Sequence, residues 1–375
     1  MRYSGKILWR VFLAGVTAAA LVSGFILIRL KARLGDFTTL KPHFEGACTL
    51  VAGLPGAEDM AVDRAARRVF LSSQDRRKPG ERGAIYLMPL DGFSAAPMRI
   101  DVSLGQPRDF HPHGLSLWTG PDGKQTLFAV NHPGGGAGSR VEIFDVDSSG
   151  LLKHRLSVPA NAYPRLNDVA GAGPDSFYAT LESVHERGSW MERLMLLTRE
   201  ESGSVVLWKN GKFRRIATGL NFANSVVLTP DGATLYATGT FGKDLRIYGR
   251  SPETGELKLQ EVVYLGSAPD NLDIGANGGV WIAAHPKLSA LLAYMSNPKA
   301  RAPSQVLLVQ RDISGRGGDV HEVLLSDGSD LAAASIAIAD GDRIIMSSAF
   351  DDRALVCVAP QGSKRDISYR FMSQD

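Results

Sequence analysis

Cysteine is scarce in this chain: there are two in 375 residues, Cys48 and Cys357, and no Cys and His cluster stands at zinc spacing. No Gly-x-Ser-x-Gly segment occurs, so an activated serine on a strand-to-helix elbow is unsupported. A basic surface is also missing. The formal charge of +3 comes from Arg2, Lys6, Arg10, Arg29, Lys31 and Arg33, which share the first 34 residues with no acid. Set against those six cations, the rest of the chain stands at −3, which excludes a broad basic face for nucleic acid. Beyond the N-terminus there is no long helical periodicity except around residues 189–197.

What is present begins with a membrane-length run. Val11 to Ile28 is an uncharged stretch of 18 residues, enough to cross a bilayer as a helix. Tyr3 and Trp9 lie near its leading edge, where amphipathic rings suit the interface. A cleaved signal peptide is the alternative, with Ala18 and Ala20 as its small residues, but that cut discards half of the apolar run. The expected organisation is a retained anchor with basic flanks over residues 1–34 and one domain over 35–375, the membrane being a partner of the first. Three basic residues flank the run on each side, so charge does not set its orientation.

The remainder is rich in turn residues, with 40 glycines and 19 prolines in the whole chain. A Gly-, Asp- or Pro-rich turn followed by an apolar strand recurs six times: Asp63 to Ser73, Pro121 to His132, Gly173 to Glu182, Pro230 to Thr240, Asn277 to His285 and Asp340 to Ser348. Phe70, Phe128, Tyr178, Tyr236, Trp281 and Ile345 occupy matching places in these units. This period predicts an all-β fold, a six-bladed β-propeller, in which radial repetition protects the sheet edges. A two-sheet sandwich has no reason to return one pattern six times.

Each unit is preceded by a segment of equal phase: Glu58-Asp59-Met60, His113-Gly114-Leu115, Asn167-Asp168-Val169, Asn224-Ser225-Val226, Asp270-Asn271-Leu272 and Ser335-Ile336-Ala337. In a propeller the first strand of each blade lines the axis, so these polar groups converge. Carboxylates at Glu58, Asp59, Asp168 and Asp270 repel one another unless a cation compensates them. With amide oxygens from Asn167, Asn224 and Asn271, the donor set suits a hard cation with many oxygen ligands, and calcium better than magnesium. A plain water-filled polar channel is the bland alternative. Neighbouring side chains on a strand point opposite ways, which separates Glu58 from Asp59 and Asn167 from Asp168 and predicts two ions at different depths. One site takes Glu58, Asn167, Asn224, Asp270 and Asn271; the other takes Asp59, Asp168 and the carbonyl of Leu115. His113 and His132 belong to one blade beside this centre and are candidates for acid–base work, while His285 ends the equivalent strand of blade five. Singly, each is as readily an ordinary satisfied histidine.

Two cysteines can be unrelated buried thiols. In a circular fold, however, the first and last strands meet, and a Cys48–Cys357 disulfide would close the ring. Such a bond needs an oxidising compartment, which places the domain outside the cytoplasm.

The segments Glu58-Asp59-Met60, Pro112-His113-Gly114, Asn131-His132-Pro133, Leu166-Asn167-Asp168, Phe222-Ala223-Asn224, Asp270-Asn271 and Trp281 through His285-Pro286 stand in an order and at intervals that resemble the paraoxonase/arylesterase family, from about Gly53 to Cys357. The resemblance implies a catalytic calcium on Glu58, Asn167, Asn224, Asp270 and Asn271, and a structural calcium on Asp59, Asp168 and Leu115. It implies a dyad of His113 and His132, with His285, Asn131, Phe222, Trp281 and Phe350 around a substrate cleft. Leu181-Glu182-Ser183 stands where family members often carry Asn-Asp-His, and Ala284 stands where they carry a free cysteine. The apolar run with Trp190, Met191, Leu194, Met195 and Leu197 reads as a helix packed on blade edges, and the resemblance makes it a lid and membrane contact as well.

The expected activity is metal-assisted hydrolysis of a lactone or aryl ester, the histidine pair activating water. A gluconolactonase-type propeller with a single axial metal is one alternative. A non-catalytic propeller displaying a binding face at the membrane is another.

Overall fold

The computed structural model describes residues 3–78, 80–91, 98–100, 107, 109–134, 138–185, 189–198, 200–311 and 318–358, so residues 359–375 of the expected domain lie outside the described residues. Six four-stranded antiparallel sheets stand around one axis. Their innermost strands are Ala57–Asp63, Pro112–Thr119, Leu166–Gly173, Ala223–Leu228, Ala268–Ile274 and Ala334–Asp340. The second strands, Arg68–Ser73, Gln125–Asn131, Ser176–Leu181, Thr234–Gly239, Val280–His285 and Arg343–Ser348, return from them through tight hairpins. The six-fold repeat in the sequence is this hairpin turn together with the second strand. In blade four, Asp231 Oδ1 accepts the N–H of Ala233 while Gly232 takes a φ of +69°, a conformation that glycine adopts without steric cost.

The core lies between the blades. Each of the six blade junctions holds its own buried apolar cluster, built from the second and third strands of one blade and the inner strands of the next. Phe70, Phe128, Tyr178, Tyr236, Trp281 and Ile345 are all buried in these clusters, which explains why the recurring position is large and apolar. Burial at such junctions is the main favourable term, roughly 25 cal/mol per Å2 of apolar surface removed from water.

The ring closes in blade six. The strand Ala47–Ala52 from the start of the domain pairs with Arg353–Val358 at its end. Cys48 stands directly opposite Cys357 in that register, and the two form a disulfide across a separation of 309 residues. Cross-linking so long a loop restricts the unfolded chain, so replacing both cysteines by serine is expected to lower stability by about 3–5 kcal/mol. Denaturant titration reads this directly; an unchanged midpoint would show that strand pairing alone fastens the ring.

Helix α1 spans Tyr3–Arg33, and its Ile7–Arg33 part is apolar and long enough to cross a membrane, with its side chains outside the folded core. Its end is tied to the propeller. Ser289 N–H reaches the Leu34 carbonyl at 3.4 Å, Ser289 hydroxyl bonds Asp36, and Gly35 at φ +78° lies so near the Pro286 carbonyl that a side chain there would collide with it. Pro286 directly follows His285. Helix α2, Trp190–Thr198, contacts α1 and leaves Trp190 largely exposed; helix α3, Leu288–Ser296, covers a small apolar cluster with Tyr294 and Phe350.

Candidate active site

All six innermost strands begin at one end of the ring, and each carries a register shift close to its start, between Ala57 and Asp59, Pro112 and Leu115, Leu166 and Val169, Ala223 and Val226, Pro269 and Leu272, and Ala334 and Ile336. These are β-bulges, which turn extra side chains toward the axis at the positions of equal phase. Simple alternation would turn Asp270 and Asn271 to opposite faces; the register shift between Pro269 and Leu272 relaxes that rule, and the two bond Asn224 and Glu58.

The outer set is a mesh of amides and carboxylates. Asn271 donates to Glu58 Oε1 at 2.7 Å and to the Glu58 carbonyl at 3.1 Å. Asn224 donates to Asp270 Oδ1 at 2.8 Å and Thr240 Oγ1 at 3.1 Å, while Asn167 donates to Glu182 Oε1 at 3.0 Å. The opposite ends of these amides tell more. The side-chain oxygens of Asn167, Asn224 and Asn271 are buried and accept no hydrogen bond. A buried acceptor left unsatisfied costs about 1–3 kcal/mol, so three at one end of the axis call for a shared donor of positive charge. The residues present therefore fit a hard cation. Among the described residues no three His, Cys, Asp or Glu side chains gather as a metal cluster, in keeping with a donor set made largely of amides.

The inner set lies deeper. Asp59 and Asp168 line a cavity that enters from the far end of the axis, whereas Glu58, Asn167, Asn224, Asp270 and Asn271 do not. Asp59 Oδ2 accepts the Leu115 N–H at 2.6 Å, and Asp168 Oδ2 accepts Ser225 Oγ at 2.7 Å and the Val226 N–H at 2.8 Å. Leu115, expected here through its carbonyl, thus makes its visible contact through its amide. Burial, then the charges of Asp168 and Glu58, push the Asp59 carboxyl well above its usual range, and burial pushes that of Asp168 to about 7. Two buried carboxyls so placed ionise fully only beside a cation. Gly114 is required against Asp168, because a side chain there would overlap that residue.

His113 Nδ1 lies 2.9 Å from Glu58 Oε2. Burial raises the Glu58 carboxyl, but the adjacent His113, Arg76 and Asn271 outweigh it and leave the acid below its usual range. His132 packs edge-on to His113 with ring centroids 5.0 Å apart, and its Nδ1 reaches Ser139 Oγ at 3.2 Å. Ser139 gives its own proton to the Pro164 carbonyl at 2.7 Å, so His132 Nδ1–H is the donor in that pair. Glu58, rather than His132, is the charged group that faces His113 Nδ1, at ion-pair distance and outside hydrogen-bond geometry. His285 Nε2 stands 3.0 Å from Asp270 Oδ2. Asn131 is buried directly before His132 in the chain, its oxygen accepting the His111 N–H at 2.8 Å and its amide donating to the buried Glu142 at 2.9 Å.

Phe222, at φ +61°, precedes Asn224 by two residues and packs at a tilt against Phe241; Phe350 stands two residues after Ser348 and packs against Tyr294 beneath the Arg77 guanidinium. Both are half-buried at the end where inner strands begin. Trp281 departs from the expectation of a cleft residue. It is only 1% exposed, pairs with Asp273 near the opposite end of blade five and fills the junction with blade six.

Two partners escaped the sequence reading. Glu182 holds Asn167 and accepts Arg165 at 2.5 Å, and Arg165 also binds Glu192 of α2 at 2.5 Å. The departure at Leu181-Glu182-Ser183 was the visible signal for it. Arg76 bonds the Gly56 carbonyl at 2.9 Å and adds positive charge beside Glu58, with no sequence feature to mark it.

Comparison with known proteins places these residues among relatives. The family model described as Arylesterase matches residues 52–358. Serum paraoxonase/arylesterase 2 of Rattus norvegicus is 27% identical over 358 residues, covering 92% of this chain and 97% of that protein. Serum paraoxonase/lactonase 3 of Rattus norvegicus is 26% identical, covering 92% and 98%. Among solved structures, a gluconolactonase of Xanthomonas campestris superposes with a TM-score of 0.50 at 16% identity, over 88% of this chain and 93% of that one. At that identity the likeness speaks for the fold alone.

Proposed function

Because the chain belongs to the arylesterase family, we propose that it is a calcium-dependent hydrolase of lactones and aryl esters, its 35–375 domain carried on a 1–34 membrane anchor outside the cytoplasm. The observation that supports this most is the meeting of the His113–Glu58 pair with three buried amide oxygens that accept no hydrogen bond. The disulfide supports an oxidising compartment.

Glu58, Asn167, Asn224, Asp270 and Asn271 would hold one calcium, and Asp59, Asp168 and Leu115 a second. Bound at the outer set, calcium would polarise the substrate carbonyl and stabilise the oxyanion. The chain's own residues handle the proton. With the proton on Nδ1, which faces Glu58 Oε2 at 2.9 Å, the Nε2 lone pair of His113 would serve as the base. Nε2 takes a proton from water as the oxygen adds to the carbonyl carbon, and the proton passes to the leaving alkoxide when the C–O bond breaks. Glu58 stabilises the imidazolium formed in between, as a carboxylate does for a catalytic histidine elsewhere. His132, fixed by Ser139, holds the His113 ring edge-on. Phe222 and Phe350 offer apolar contact to an acyl or aryl group, as binding pockets commonly do.

The uncharged ring of a lactone enters without repulsion from Glu58 and Asp270, whereas a phosphomonoester dianion is repelled by both. Purified full-length protein in detergent is expected to open lactones and cleave aryl esters in calcium, to lose both activities in chelator and to leave phosphomonoesters intact. Weak or no phosphotriester cleavage is expected. Folded, calcium-loaded protein that opens no lactone and cleaves no aryl ester above background would overturn the reading.

A further inference from the structure

The axis has a second opening. A cavity of about 620 Å3 enters it at the far end, where the innermost strands finish, and runs inward to the carboxylates of Asp59 and Asp168. Its mouth includes Thr119, Pro121 and Asp231, all exposed, so it communicates with solvent. Asp231 places an acid at the rim. The cations nearby are already engaged. Arg64 bonds Asp273 Oδ2 at 2.6 Å and the Ile274 carbonyl at 2.9 Å, and Arg250 bonds Tyr178 Oη at 2.7 Å and the Gly232 carbonyl at 2.9 Å.

Among the described residues, the opposite end presents a bonded mesh in front of Asp59 and Asp168. A cation coming from the histidine side meets Glu58, Asn271 and His285, all buried. It would have to part Asn271 from Glu58 Oε1 at 2.7 Å, or Asn224 and His285 from Asp270 at 2.8 and 3.0 Å. Any ion held by the outer set would add its own repulsion.

We propose that the far-end cavity, not the substrate-side mouth, is the route by which a divalent cation reaches and leaves Asp59 and Asp168; this rests on the calcium reading above. The inner ion then exchanges independently of substrate and of the outer ion, and it does so even when the substrate side faces a bilayer.

The two native cysteines are joined in the disulfide, so an introduced cysteine is the single free thiol of the described residues. Ala172→Cys and Thr119→Cys, both on the cavity wall, would be loaded with calcium and treated with a bulky methanethiosulfonate. Val184→Cys, exposed at the opposite end, serves as control. Calcium release into excess fluorescent chelator is then followed on the same folded protein before and after labelling, with labelling checked by mass. Two release phases are expected, and labelling at 172 or 119 should slow one of them by about tenfold or more, leaving the other and the Val184→Cys control unchanged. Two phases that are both indifferent to labelling would overturn the route and leave the calcium reading standing. A folded Ala172→Cys protein that the reagent cannot reach would overturn it equally. Protein that carries no calcium at all would remove the calcium reading, and the route with it.

Discussion

His113→Gln is expected to lower lactone turnover by about 10²–10⁴-fold, the usual worth of a positioned general base. Glutamine preserves much of the geometry: its amide N–H can face Glu58 Oε2, as His113 Nδ1 does at 2.9 Å. What it cannot supply is a basic nitrogen on the other side of the ring. The loss should therefore appear in kcat with little change in KM, the pattern of an interaction made only in the transition state. Calcium content and melting temperature should stay near those of the native protein, because Glu58 keeps an N–H facing it. Glu58→Gln should lower kcat as well, since an amide cannot stabilise the imidazolium. Full turnover in His113→Gln would leave the oxygen-lined centre in place and remove His113 as the base.

The propeller was legible because its repeat is local. A Gly- or Asp-bearing hairpin and an apolar second strand lie within about a dozen residues of each other, and six copies return in phase. Convergence of Glu58, His113, Asn167, Asn224 and Asp270 followed from topology, since the first strands of a propeller share an axis. What escaped is what depends on register and on distant pairing. The bulges add a residue without adding a recognisable signal, so the alternation rule could not explain why Asp270 and Asn271, grouped together from the sequence, belong to one set. Trp281 is four residues from His285 on one strand; at about 3.3 Å per residue that places it about 13 Å away, beyond the cleft and inside a blade junction. The Glu58–His113 pair joins neighbouring blades, and no spacing rule favours it over the His113–His132 pair, which shares a blade. Arg165, Glu182 and Glu192 form one bonded chain from α2 to Asn167, yet each alone reads as an ordinary surface charge.

Asp168→Ala is expected to act on the fold rather than chiefly on the chemistry. The carboxylate receives Ser225 Oγ at 2.7 Å and the backbone N–H groups of Val226 and Val169 at 2.8 and 2.7 Å, so it ties blade three to blade four. Removing it leaves three buried donors without their acceptor, a loss of about 3 kcal/mol or more. For a domain of this size that is a fall of roughly 5–10 °C in melting temperature. Asn224→Ala, by contrast, should leave a folded propeller and abolish turnover. The dependence on pH gives a sharper contrast. Burial pushes the folded Asp168 carboxyl up to about 7, well above the usual carboxylate range, so the folded state keeps a proton that the unfolded state releases. In chelator, its contribution is present in full below pH about 4 and is lost as pH climbs to about 7. Comparison with Asp168→Ala isolates that term from the many surface acids, whose slopes are shared. Calcium favours the ionised carboxylate in the folded state, so in calcium the loss should vanish and stability should hold or rise over the same interval. Melting curves of both proteins from pH 4 to 8, in calcium and in chelator, give four profiles. A native-minus-variant difference that ignores both pH and calcium would show that Asp168 is a hydrogen-bonding strut and holds no ion.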